Sequence, residues 1–231
     1  MSRRRSVKLP PIMKLLAAIQ AGGRSTRMGV DKAWVELAER PLIEYTLRTA
    51  RPLAQRLAIV ISRDTPEQAR YRQLAKQWQA ELLFDPNDYC GPLGGIHTAL
   101  LNCAVNESAL ILACDLPCVT AEFLTLLQTL HTAGETQSIT IPLDQTGRRQ
   151  MLLGFYEKTC LPAAESLLTA GKLRVDGLCT RVAVREVEFA TYAHLPHATS
   201  LLNNLNTPEE LHSVAFTTSP PSPASPGRPL D

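Results

Sequence analysis

Four short apolar runs, each followed by a helix signal, constrain this chain more than any other feature. The runs are Lys14–Ile19, Leu57–Ser62, Glu81–Phe84 and Ala109–Ala113. Each has the length of a buried strand and is too short for a helix. Pro41 opens a helical pattern with Leu42, Ile43, Tyr45 and Leu47 as core candidates, and Pro suits a first helical position. Thr65-Pro66-Glu67-Gln68 reads as an N-cap, a first-turn Pro and a capping-box Gln, starting a helix that runs to about Gln79. Ile96–Ala104 and Thr120–Leu130 supply two more helices. Thr120 caps the second, with Phe123, Leu124, Leu127 and Leu130 on one face. Strands alternating with helices predict βαβ units, hence an α/β three-layer sandwich: a mostly parallel sheet with helices on both faces.

The second half is less regular. Ser138–Ile141, Gln150–Tyr156 and Val182–Phe189 read as strands, and Lys158–Ala170 as a helix interrupted early by Pro162 and stopped at Gly171. Thr207-Pro208-Glu209-Glu210 starts a last short helix. A chain of 231 residues suits one domain, here expected over residues 13–216. Residues 1–12 form a basic head. The tail from Thr217 holds five of the 17 Pro and has the composition of a disordered segment.

Composition removes several classes. Twenty-four Lys and Arg against 22 Asp and Glu leave a net charge of +2, too small to argue for nucleic acid or a membrane surface as partner. Arg3, Arg4 and Arg5 before an apolar stretch raise the question of a secretory signal, but Pro10, Pro11 and Lys14 interrupt that stretch. No run approaches the roughly 20 apolar residues of a membrane span. The six Cys lack C-x-x-C spacing, so they read as reduced structural thiols and the chain as cytoplasmic.

Parallel sheets bind ligands beyond the carboxyl ends of their strands, which directs attention to the residues after each run. Gln20–Lys32 reads QAGGRSTRMGVDK. Gly22, Gly23 and Gly29 permit backbone conformations closed to other residues and let main-chain N–H groups approach a phosphate. Arg24, Arg27 and Lys32 add charge, Arg as a bidentate fork and Lys as a point charge. The loop suits a di- or triphosphate. The competing reading is a surface turn with solvated charges. It is neither a P-loop, which needs Gly-Lys-Ser/Thr, nor a dinucleotide fingerprint, whose G-x-G-x-x-G spacing it lacks.

This segment resembles the signature of the nucleotidyltransferases related to molybdenum cofactor guanylyltransferase, roughly L-A-G-G-x-S-x-R-M-G-x-D-K. Gln20 departs from the usual Leu. The resemblance implies a Rossmann-like sandwich of the nucleotide-diphospho-sugar transferase type. It also implies transfer of GMP from GTP to molybdenum-molybdopterin, with Gln20, Ala21, Gly22, Gly23 and Lys32 binding the nucleotide and Arg27 and Lys32 acting on the triphosphate.

Three later motifs agree with it in order. DPNDYCGPLGG (Asp85–Gly95) follows the third run. By resemblance Asp85 binds the nucleotide at guanine; otherwise Asp85 and Asp88 are ordinary loop or cap residues. Cys114-Asp115-Leu116-Pro117 follows the fourth run. A carboxylate there can hold a hard cation, and the resemblance implies that Asp115 is catalytic and binds both nucleotide and Mg²⁺. NNLNTPEEL (Asn203–Leu211) implies Asn206 as a second metal-site residue, against the plainer reading of a turn before a helix cap. Arg148, Arg149, Lys172 and Arg174 either grip the acceptor's phosphate or are solvated surface charge. Met151 stands where the family often has Pro, and Ser62 near its usual Asn. Acceptor molybdoenzymes or their chaperones are the partners such an activity implies. The alternatives are a cytidylyltransferase for the same cofactor, a sugar-1-phosphate nucleotidyltransferase, or a nucleotide-binding protein without turnover.

Overall fold

Strand β1 (Lys14–Gln20) lies in the interior of the sheet, hydrogen-bonded in parallel to β4 (Arg56–Ile61) on one side and β6 (Glu107–Ala113) on the other. The computed structural model describes residues 14–21, 31–85, 91–133 and 137–204. After β1 come a two-strand ribbon, β2 (Glu36–Leu37) and β3 (Arg40–Pro41), and helix α1 (Leu42–Ala50). Then follow β4, α2 (Gln68–Trp78), β5 (Glu81–Phe84), α3 (Gly91–Asn102), β6 and α4 (Ala121–Thr132). The last part is β7 (Ile139–Pro142), β8 (Leu153–Glu157), α5 (Leu161–Thr169), α6 (Asp176–Cys179), β9 (Val184–Val187) and α7 (Phe189–Tyr192).

Seven strands form one sheet in the order β5-β4-β1-β6-β8-β7-β9. β8 runs against both of its neighbours, and the other pairings are parallel. The expected mostly parallel sandwich is therefore present.

Side-chain alternation along β1 explains the layers. Leu15, Ala17 and Ile19 face one core, built with Ile43 and Leu47 of α1, Tyr71 and Leu74 of α2, and Phe123 and Leu127 of α4. Leu16 and Ala18 face the other, against Leu93, Ile96 and Leu100 of α3, Ala164 and Leu167 of α5, and Leu178 of α6. All five β1 residues are wholly buried. A strand covered on both faces must read as a continuous apolar run.

Thr120 caps α4 as expected, its hydroxyl accepting from Phe123 N–H at 3.2 Å. Other boundaries moved. Pro41 lies just outside α1 in extended conformation and ends β3. The helix expected from Thr65 starts at Gln68. Thr65 N–H is held in a turn by the Ser62 carbonyl at 3.3 Å, and Gln68 donates its amide to the Arg63 carbonyl instead of closing a capping box. Helix α3 begins at Gly91, five residues before the expected Ile96, so the glycine-rich stretch is its first turn. Pro162 sits in the first turn of α5, where a missing N–H breaks no bond, and starts that helix instead of interrupting it. Gly171 ends it with a φ of +67°.

Burial pushes the thiols of Cys103 and Cys160 up to about 12 and that of Cys179 to about 11, which keeps them protonated and unreactive. Among the described residues no helix is long and apolar enough to cross a membrane. The basic head, the tail from Thr217 and the helix expected at Thr207 lie outside the described residues.

Candidate active site

The chain leaves β1 for β4 and β5 on one side and returns to β6 on the other. At such a reversal the connections diverge and leave a crevice beyond the strand ends. Here the strand ends are joined by Ala21 N–H to the Val60 carbonyl at 2.9 Å and Cys114 N–H to the Gln20 carbonyl at 3.0 Å. The crevice is a cleft of about 660 Å³, lined by Gln20, Ala21, Lys32, Asp85 and Asp115 among others. Five residues expected to bind the nucleotide thus converge on one cavity from three strands and a loop. Gly22, Gly23, Arg27 and Asn206 lie outside the described residues.

Lys32 and Asp115, 83 residues apart, meet on the cleft wall, with Lys32 Nζ donating to Asp115 Oδ2 at 2.6 Å. Their side chains are only 13% and 18% exposed, so solvent screens this pair less than a surface pair. The second oxygen of Asp115, Oδ1, is buried with no hydrogen-bond partner among the described residues. A buried carboxylate oxygen left bare is costly, and a cation is the group it best accepts. The residues present therefore fit a Mg²⁺ site, since Mg²⁺ usually takes one or two carboxylates and completes its shell from substrate phosphates and water. Asp115 does not cap α4, because Thr120 does.

Lys32 is aimed by a neighbour that sequence reasoning passed over. Asp31 accepts from Ala33 N–H at 3.1 Å, capping the short 3₁₀ turn Lys32–Trp34. The Tyr71 hydroxyl donates to its other oxygen at 2.7 Å. Burial raises the Asp31 carboxyl above the ordinary range, against the pull of those bonds. Trp34 packs on Tyr71 with ring centroids 4.8 Å apart, and Arg70 lies 4.1 Å over the Trp34 ring. The signal was a short polar residue directly before the helical turn, the usual cap position.

Asp85 follows β5, anchored by its N–H to the Ile61 carbonyl at 3.0 Å. Its Oδ1 accepts from the Thr98 hydroxyl of α3 at 2.8 Å. Burial raises its pKa, partly offset by that bond and by nearby His97. Gln20 stands at the end of β1 against Gly95 of α3, with its amide Nε2 buried and without a partner among the described residues.

Arg148, Arg149 and Arg174 line the opposite part of the cleft with Met151, and Lys172 is not among the lining residues. Arg149 is tied to Glu186, Nε to Oε1 at 2.7 Å, and Arg174 to Asp176 at 2.9 Å. Arg148 follows a tight turn in which Asp144 Oδ1 accepts from Thr146 N–H at 2.8 Å and Arg148 N–H at 2.9 Å. Ser62 also lines the cleft, on the β4 side.

A mostly parallel sheet reversing at β1, with a lysine–carboxylate pair and a second, half-buried acid at its strand ends, has the form of a nucleotide-handling α/β transferase. The comparisons narrow this. Residues 17–180 match the model of the MobA-like NTP transferase domain, and the chain belongs to that family of nucleotidyltransferases. It is 31% identical over 203 residues to a protein of Carboxydothermus hydrogenoformans named probable molybdenum cofactor guanylyltransferase, covering 88% of this chain and 96% of that one. It is 35% identical over 195 residues to the molybdenum cofactor guanylyltransferase of Pseudomonas putida strain F1, covering 84% and 93%. The solved structure of molybdopterin-guanine dinucleotide biosynthesis protein A from Archaeoglobus fulgidus superposes with a TM-score of 0.71 at 23% identity, covering 87% of this chain and 97% of that one. That likeness shows that the two chains share this α/β fold.

Proposed function

We propose that this protein transfers GMP from GTP to molybdenum-molybdopterin, forming the guanine dinucleotide cofactor and pyrophosphate in the cytoplasm, from which acceptor molybdoenzymes or their chaperones would take it. The observation that carries the reading is the Lys32–Asp115 pair with its bare Oδ1, at the strand ends of a chain whose relatives are named for this activity. A terminal phosphate oxygen of the pterin attacks the α-phosphorus. The new O–P bond forms as the bond to the β-phosphate oxygen breaks, and pyrophosphate leaves with that electron pair. The nucleophile is already an anion, so no side chain need remove a proton.

The protein's part is then positioning and charge stabilisation. Lys32, held on the cleft wall by its bond to Asp115, brings an ammonium charge to the triphosphate. Asp115, with Asn206, would hold Mg²⁺, which when bound neutralises charge on the α-phosphate and leaving group. Arg27 and the Gly22–Gly23 backbone grip the phosphates from the loop. Arg148, Arg149 and Arg174 present positive charge to the anionic acceptor across the cleft. The test is pyrophosphate release with Mg²⁺, molybdenum-loaded molybdopterin and each of the four common ribonucleoside triphosphates. Release with GTP alone is the expected result. Release with CTP alone overturns the base assignment, and tight GTP binding without release overturns turnover.

Asp85 supplies a pH signature. Its ionised carboxylate is the better acceptor for the N1–H and amino group of guanine, so GTP binding favours the charged form. Affinity is complete above the free protein's Asp85 pKa and lost as pH falls through it. Because burial raises that pKa above 3.8, KM for GTP should climb on acidification before an ordinary Asp would titrate. Asp85→Asn should remove this limb and raise KM roughly tenfold to a hundredfold at neutral pH, as expected for losing a hydrogen bond to a charged acceptor worth about 1.5–3 kcal/mol. A wild-type pH profile in Asp85→Asn would remove Asp85 from the base site.

A further inference from the structure

We infer that the Gln20 side chain reads the base, donating from its carboxamide to O6 of guanine, with the bare Cα of Gly95 as the platform that holds the amide in place. This rests on the guanylyltransferase reading and adds a specificity residue peculiar to this chain.

Three observations carry it. The first is an unmet donor: Gln20 Nε2 is buried without a partner among the described residues, in a residue that lines the cleft. A buried amide donor without an acceptor costs stability and is kept only where something repays it. The terminal torsion of a Gln amide is broad, so its donor edge can turn toward a ligand without moving the rest of the side chain.

The second is the fit against Gly95. A Cβ at that position would lie 2.6 Å from Gln20 Cδ and 2.8 Å from both Nε2 and Oε1. Near-equal distances to all three atoms mean that the amide lies flat over the glycine. Gly95 has no positive φ, so backbone conformation does not require glycine there. Within a helix, Ala would be favoured by about 1 kcal/mol on propensity alone. What requires glycine is the amide above it.

The third is placement. Gln20 continues the Leu16, Ala18 series toward the α3 face. The carboxylate of Asp85 is bonded to Thr98, also on α3. Gly95 and Thr98 are three residues apart and so neighbours on one helix face. Above them stand an amide donor and a carboxylate acceptor, carried by β1 and β5. Only β4 separates those strands, so they lie about 10 Å apart. A purine seated over the end of β4 spans that gap. Guanine matches the pattern, with an O6 acceptor at one end of its edge and N1–H and the amino group at the other. Cytosine presents a single amino group and would leave the carboxylate half-used.

The experiment compares kcat/KM for GTP with that for 6-thio-GTP, which keeps N1–H and the amino group but replaces O6 by a poor acceptor. Wild type should prefer GTP at least about tenfold, the discrimination of roughly one hydrogen bond. Gln20→Leu should bring the ratio close to one, and Gln20→Glu, which turns the donor into an acceptor, should use 6-thio-GTP as well as GTP or better. Gly95→Ala should reproduce Gln20→Leu by displacing the amide, and the double variant should be no worse than Gln20→Leu alone. Thermal melting confirms that each variant is folded, and Gln20→Leu decides the matter if Gly95→Ala is not. Full discrimination in folded Gln20→Leu overturns the assignment while leaving guanylyl transfer intact. Failure of the wild type to use GTP at all overturns the guanylyl reading, and the O6 assignment with it.

Discussion

Replacing Asp115 with Ala should lower turnover by at least about 10²-fold, the loss expected when a group acting on developing charge is removed from a preorganised site. Two contributions disappear together. The bare Oδ1 is the oxygen available to a cation, and Oδ2 holds the ammonium of Lys32. Turnover should fall at saturating GTP, and the Mg²⁺ concentration giving half-maximal rate should rise in any residual activity. Stability should change little, because the carboxylate lies on the cleft wall, outside both apolar layers. A folded Asp115→Ala protein with near-normal turnover and an unchanged Mg²⁺ response would remove the metal assignment.

Lys32→Ala should cost a comparable factor of about 10², by a different route. Its loss takes a positive charge from the triphosphate and leaves Asp115 buried without a counter-charge. Lys32→Arg should recover only part of the activity, since a planar fork does not reproduce a compact ammonium on a short path to one oxygen. Because the two side chains touch, the double variant should lose much less than the product of the single losses. Strictly multiplicative losses would show that the ion pair has no part in turnover.

The layers of this fold were legible because burial on both faces leaves a direct record. Leu16, Ala17, Ala18 and Ile19 can be consecutive apolar residues only if sheet faces are covered twice. The helix starts were less legible. Gly91-Pro92-Leu93-Gly94-Gly95 looks like a loop by propensity, yet it is the first turn of α3, since packing of Leu93 and Ile96 against the sheet outweighs the cost of its glycines. Asp85 and Asp115 were findable because ligands of parallel sheets gather at strand ends. Asp31 and Gly95 were not assigned roles, because each acts through a tertiary neighbour: Tyr71 lies 40 residues from Asp31, and Gln20 is placed over Gly95 only once β1 and α3 pack. Of the four cations nominated for the acceptor, three reach the cleft and Lys172 does not, a division that depends on loop paths no local pattern encodes.

The interior position of β1 has a consequence for synthesis. β1 pairs on both sides, and β6, one of its two partners, is synthesised much later than β1. Until then β1 presents an open, apolar edge, the kind of surface on which nascent chains associate wrongly. Its long-range pairing also makes for slow folding. Lys32 meets Asp115 only when that edge closes. A growing chain therefore has no Lys32–Asp115 pair to offer, and the cleft they line is completed in the same event that removes the hazard.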